Sequence, residues 1–173
     1  MNHRRFFIAF SLLLLGETLV WEREARAQGS KTDLDGLKQI LEELGYAPKE
    51  VKSNESIAWE VQVKHPGGET RRHLLGMDPK AATIFIIGGG FSSWPDPGKA
   101  TSAWYRKVMH QNHKISPSYI FLNDFDVFGL TTVLGNVDID AARIKAKITE
   151  HATNFDEKLV PLIKEVPSKD DRK

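Results

Sequence analysis

The chain has 173 residues, 24 Lys and Arg against 23 Asp and Glu, a formal net charge of +1 at pH 7, and no cysteine. Without cysteine there is no disulfide, thiolate nucleophile, cysteine metal ligand or lipid-modified cysteine. The near-neutral balance argues against a nucleic-acid binder, which draws its affinity from a strongly basic face.

The first 27 residues read as an export signal. Arg4 and Arg5 form a cationic start, Phe6 to Gly16 run apolar, and Ala25-Arg26-Ala27 supplies a small-x-small cleavage pattern before Gln28. The apolar run of about 11 residues falls within the ~7–15 of a signal h-region and short of the roughly 20 that a membrane span needs. Glu17, Glu22, Arg23 and Glu24 follow it, which disfavours an anchored reading. The expectation is therefore a cleaved signal over residues 1–27 and a periplasmic or extracellular mature protein, with an uncleaved N-terminal tether as the alternative. His3-Arg4-Arg5-Phe6-Phe7-Ile8 also fits a twin-arginine pattern. Two arginines serve equally as an ordinary cationic start, and Leu12 to Leu15 is more apolar than that route prefers. Removing residues 1–27 leaves 20 charges of each sign. The remaining chain of about 145 residues can bury ~68% of its unfolded surface in one core. Residues 28–166 are thus read as one domain and the polar stretch 167–173 as a flexible tail.

In the mature chain, Leu34, Leu37, Ile40, Leu41 and Leu44 recur at helical spacing, with Thr32 and Asp35 as the expected cap and Gly45 as the left-handed stop. Ile57, Trp59, Val61 and Val63 alternate with polar residues, the period of a half-buried strand. His65-Pro66-Gly67-Gly68 is turn chemistry, and Thr70 to Met77 returns as a second strand. Asp78-Pro79 turns the chain into Ala82 to Ile87, a run apolar on both faces and so expected at the centre of the sheet, covered on both sides. Asp96-Pro97 reads as the start of a second helix that buries Ala100, Ala103, Trp104 and Val108 and ends near His113. Tyr119 to Leu122 and Val127 to Leu134 are two further strands around the turn Asn123 to Asp126. From Asp138 or Asp140 a last helix presents Ile144, Ile148, Ala152, Phe155, Leu159 and Leu162 on one face, and Pro161 predicts a kink or stop near Asp156 to Leu159. The predicted fold is α+β, an antiparallel sheet covered by helices in the order α-β-β-β-α-β-β-α.

The chemical motifs are sparse. Gly88-Gly89-Gly90 follows a strand, as in phosphate-binding loops, but Gly98-Lys99 has Ser93 where the earlier glycine should be and Ala100 where the metal-binding hydroxyl should be. Gly90-Phe91 suits the oxyanion loop of lipases, yet no Gly-x-Ser-x-Gly elbow accompanies it. His110 and His113 lie one helical turn apart without a third ligand, and with Arg106, Lys107 and Lys114 they read as a solvated helix face. His65 sits in a turn, and His73 and His151 read as solitary. Asp124 and Asp126 read as turn residues bonding their own backbone. Phe91 and Trp94 lie outside any periodic element and are either a plug over the sheet or a lip that binds a partner.

Three stretches carry a family resemblance: Leu41-Glu42-Glu43-Leu44-Gly45-Tyr46 with Pro48-Lys49, Gln111-Asn112-His113-Lys114-Ile115-Ser116-Pro117-Ser118, and Leu134-Gly135-Asn136-Val137-Asp138-Ile139. In these, and in element order from Leu34 to about Ile163, the chain resembles the YbjN-like family of bacterial sensory transduction regulators, which share the fold of type III secretion chaperones. The resemblance implies an α+β layer that binds protein, sometimes pairs with itself, and has no catalytic residues to transfer. The stretch from Gly88 to Pro95 is longer and richer in glycine than the family pattern.

The functional expectation is an exported, non-enzymatic protein-interaction module, chaperone-like or regulatory, with Gly88, Gly89, Gly90, Phe91 and Trp94 as partner-binding residues. It includes no catalytic residue, metal or cofactor, and no nucleic acid; the partner is another protein or a second copy of the chain. The alternatives are a small-ligand binder or enzyme using the loop from Gly88 to Pro97, and a structural envelope protein.

Overall fold

The computed structural model describes residues 30–53, 56–78, 80, 82–89, 99–122 and 128–166. The expected export signal, the tail after Val166, Gly90, Phe91, Trp94, Asp124 and Asp126 lie outside them. Helix α1 (Leu34–Glu43) precedes four strands, β1 (Lys49–Ser53), β2 (Ser56–Lys64), β3 (Thr70–Met77) and β4 (Thr83–Gly89). Then come α2 (Ser102–Lys114), β5 (Ser118–Leu122), β6 (Phe128–Gly135) and α3 (Ala141–Asn154), which runs through a π turn (Phe155–Leu159) into α4 (Val160–Ile163). The fold is α+β. Its six strands form one antiparallel sheet in the order β1-β2-β3-β4-β6-β5. The strand not foreseen is β1, whose Lys-Glu-Val-Lys-Ser sequence carries one apolar residue and no alternation to read.

Pairing register sorts the side chains. Val61 stands beside His73, His73 beside Gly88, Gly88 beside Leu130 and Leu130 beside Ile120, so these five positions share one face, as do Trp59, Leu75, Ile86, Thr132 and Ser118 in the adjacent row. That face carries the core. Leu37 and Leu41 of α1 and Ile144, Ile148 and Ala152 of α3 pack on Trp59, Val61, Leu75, Ile84 and Ile86. A second cluster joins Trp104 and Val108 of α2 to Ile120, Phe128, Leu130 and the C-terminal Phe155, Leu159 and Leu162.

Local chemistry explains the boundaries, with two corrections. Asp33, not Thr32, caps α1, accepting from Gly36 N–H at 2.7 Å. Thr32 is engaged by its backbone instead: its N–H donates to Asn136 Oδ1 at 3.1 Å and its carbonyl accepts from Asn136 Nδ2 at 2.7 Å. Gly45 ends the helix at φ +83°, where other residues are strained. Helix α2 starts at Ser102, capped by the Thr101 side chain through Trp104 N–H, rather than at Asp96-Pro97; Ala103 is exposed, while Trp104 and Val108 are buried as expected. Asp140 caps α3. The regular helix breaks where Pro161 predicts, near Asp156 to Leu159, but as a π turn over Phe155–Leu159 closed by Val160 N–H on Phe155 O, after which Pro161 falls in the first turn of α4, where its missing N–H costs little.

The central strand is the largest correction. Ile84 and Ile86 are fully buried, but Phe85 and Ile87 point to the opposite face and stay half-buried. Among the described residues, coverage is one-sided. Ile86→Ala is therefore expected to cost about 2–5 kcal/mol in urea denaturation, and Phe85→Ala less, about 1–2 kcal/mol, because its side chain is only partly withdrawn from water. Equal losses at the two positions would contradict one-sided coverage.

Candidate functional site

Two features stand out: a chain of buried polar side chains beneath the sheet, and the apolar face above it. The first assembles three histidines that are far apart in sequence. His65 ends the inward row of β2, His73 sits inward on β3, and His151 lies on the inner face of α3, three residues after Ile148; their exposures are 3%, 1% and 0%. His65 Nδ1 lies 2.8 Å from Asp156 Oδ1, and His65 Nε2 lies 2.7 Å from His73 Nε2. His151 Nδ1 lies 2.8 Å from Thr132 Oγ1, which lies 2.7 Å from Ser118 Oγ, and Asn154 Nδ2 reaches the same serine at 3.5 Å. Phe155 packs its ring edge-on to His65 and His73, at 5.2 and 6.0 Å between centroids.

A carboxylate only accepts, so Asp156 fixes the proton of His65 on Nδ1. In the neutral cluster His65 Nε2 then accepts from His73 Nε2–H, and His73 Nδ1 is left as a bare lone pair. Among the described residues, neither His73 Nδ1 nor His151 Nε2 has a hydrogen-bond partner. Burial disfavours a charged ring at both positions. His73 is pushed down to about 3, by desolvation first and then by the charges of His65 and Arg71, against the pull of Asp156. Desolvation and then the neighbouring His73 and His65 hold His151 well below the ordinary histidine range.

Gly88 makes this arrangement sterically possible. A Cβ there would lie 2.5 Å from His151 Nε2 and 2.7 Å from His73 Nδ1, closer than any side-chain carbon sits. Gly88 and Gly89 therefore belong to β4, paired with Leu130 and Gly129, and do not begin a loop as the glycine run suggests. Gly88 is buried against imidazoles. His110 and His113, the pair conspicuous in the sequence, are exposed on α2.

The second feature is the other face of the sheet. Ala58, Gly76, Phe85 and Val133 form one row, and Leu74, Ile87, Thr131 and Tyr119 the next. Phe85, Ile87, Leu74, Val133 and Phe121 are half-buried, and Tyr119 is 46% exposed. The rings of Phe85 and Phe121 lie over Gly76 and Gly129, where a Cβ would come within 2.5 Å of either ring. Ion pairing on this face falls toward β2, where Arg72 and Glu60 meet at 3.7 Å.

The sheet edges are guarded. On β5, Ile120 N–H donates to Asn112 Oδ1 at 2.6 Å and its carbonyl accepts from Asn112 Nδ2 at 3.0 Å, so a side-chain amide takes the place a further strand would occupy. On β1, Lys49, Glu50 and Lys52 supply charge. Asn136 clamps the backbone of Thr32 in the same way.

A scan against protein-family models finds no match, and no curated protein matches the chain. Among the described residues no helix is long and apolar enough to cross a membrane, and no group of three or more histidine or acidic side chains is placed to hold a metal ion.

Gly88→Ala is expected to destabilise the protein by about 1–3 kcal/mol, the usual cost of forcing a methyl into a packed interior. His110→Ala and His113→Ala should each stay within about 0.5 kcal/mol as surface changes. Urea midpoints of the three variants check both statements; a neutral Gly88→Ala would mean that the imidazoles yield freely.

Proposed function

We propose that the protein is an exported, non-enzymatic protein-interaction module of chaperone-like or regulatory type, similar in role to the YbjN-like family, and that it binds protein through the open face of its sheet. The observation that carries this reading is the apolar stripe of Leu74, Phe85, Ile87, Val133, Tyr119 and Phe121 on the face opposite the core of the described residues, in a sheet whose edges are blocked by Asn112 and by charge. Apolar surface that a folded domain leaves together, with aromatic residues at its centre, is the usual makeup of a protein contact. A partner strand added at β5 would have to displace the Asn112 amide, so face contact is favoured over strand addition. Phe91 and Trp94 follow β4 in the chain and are proposed as further anchors; Gly89 and Gly90 precede them in sequence, whereas Gly88 is buried. The same face can receive a second copy of the chain.

Ile87→Lys with Val133→Lys places two charges in the stripe while leaving the core face untouched. The expected result is a folded double variant, by circular dichroism and melting, that loses at least ~2 kcal/mol of partner or self-association, the scale of an interface hot spot. Phe91→Ala with Trp94→Ala should weaken the same capture. A folded Lys variant that keeps every partner and the wild-type oligomeric state by light scattering would overturn the face assignment. N-terminal sequencing of exported material should begin at Gln28; a start at Met1 in a membrane pellet would favour the tether.

A further inference from the structure

We infer that the seam between the sheet and the C-terminal segment is an acid-operated latch: protonation of the buried histidine cluster releases residues 151–166 from the sheet. The latch stands on three observations. Asp156, on the π turn, accepts from His65 Nδ1 at 2.8 Å and from Gly67 N–H at 3.1 Å, stapling the segment to the β2–β3 turn. His151, one turn earlier, faces His73 across the seam at 5.0 Å between ring centroids, and each has an unpartnered ring nitrogen there. The segment itself is irregular, a π turn followed by a four-residue helix with Pro161 in its first turn, held down by Phe155, Leu159, Leu162 and Val166 and by Trp104 Nε1–H on Leu162 O at 2.8 Å.

The groups facing the cluster give an added proton little relief. Toward His73 they are His65 in the turn, Arg71 on β3, His151 on α3, Gly88 on β4 and Asp156 on the π turn; toward His151 they are His73, His65, Thr132 on β6 and Gly88. The one carboxylate among them, Asp156, already serves His65 and Gly67. A cation on His73 or His151 would be buried without a partner, beside Arg71. In the closed protein both rings titrate below the ordinary value, His73 at about 3, whereas in a solvated seam each returns toward ~6.5. The open form thus binds more protons, and its population rises up to about tenfold per pH unit for each histidine as pH falls below ~6.5. Stability of the closed seam is complete above that value and is lost on acidification.

Hydrogen exchange of the full chain, corrected for intrinsic exchange rates, reads the latch directly at about pH 7.5 and about pH 5. Protection in 151–166 should fall at least tenfold between the two, while α1, β2 and β3 keep theirs. Unchanged protection in 151–166, or an equal loss everywhere, would overturn the proposal in the wild-type protein alone. His73→Gln with His151→Gln should abolish the acid loss; a folded double variant that still releases the segment would overturn it as well.

Discussion

Among the described residues, every helix side chain that reaches the interior packs on one face of the sheet, and most of the arrangement follows from that constraint. A strand presents alternate residues to opposite faces, so one covered face divides β2 to β6 into an inward set that must be apolar or hydrogen-bonded and an outward set free to meet a partner. Ile84 and Ile86 belong to the first set, and Phe85 and Ile87 to the second. The same division that anchors α1 and α3 leaves a stripe of aromatic and branched side chains that no helix among the described residues covers.

The inward layer is not uniformly apolar. Thr132 and Ser118 share a row with Trp59, Leu75 and Ile86, and His73 and Gly88 share the next with Val61 and Leu130. These polar residues find each other and the last helix, so their burial is tolerable only as a connected set. Its cost is concentrated where connection fails, at His73 Nδ1 and His151 Nε2. Glycine at position 88 lets the two rings approach the backbone of β4, which turns a residue that looks like loop punctuation into a packing requirement.

Two asparagines do comparable work at the margins of the fold. Asn136 holds both backbone groups of Thr32 and so fixes how the chain enters α1, and Asn112 holds both backbone groups of Ile120 on the outermost strand. A side-chain amide matches a peptide group in its donor and acceptor, which is why asparagine can substitute for a neighbouring strand or turn. Together with the charges of β1, the Asn112 clamp guards the sheet edges against an added strand.

Residues near in sequence determined the local elements. Apolar spacing marked α1 and α3, strict alternation marked β2, and Gly45 and the β2–β3 turn marked their ends, because helix and strand periods are properties of consecutive residues. The short charged β1 escaped for the same reason, having no alternation to read, and Thr101 displaced Asp96 as the cap of α2 because either could bond a free N–H. Tertiary structure alone decided the candidate sites. His65, His73, His151 and Asp156 are separated by as many as 91 residues, and their meeting depends on strand register and on how α3 lies over the sheet. The inward parity of His73 beside Leu75, and the position of His151 on the face of Ile144 and Ile148, were visible hints of burial but not of contact. Whether β4 was covered on one face or two was likewise undecided in its apolar run, since a run of four apolar residues fits a buried strand and an interface strand equally, and only the placement of the helices distinguishes them.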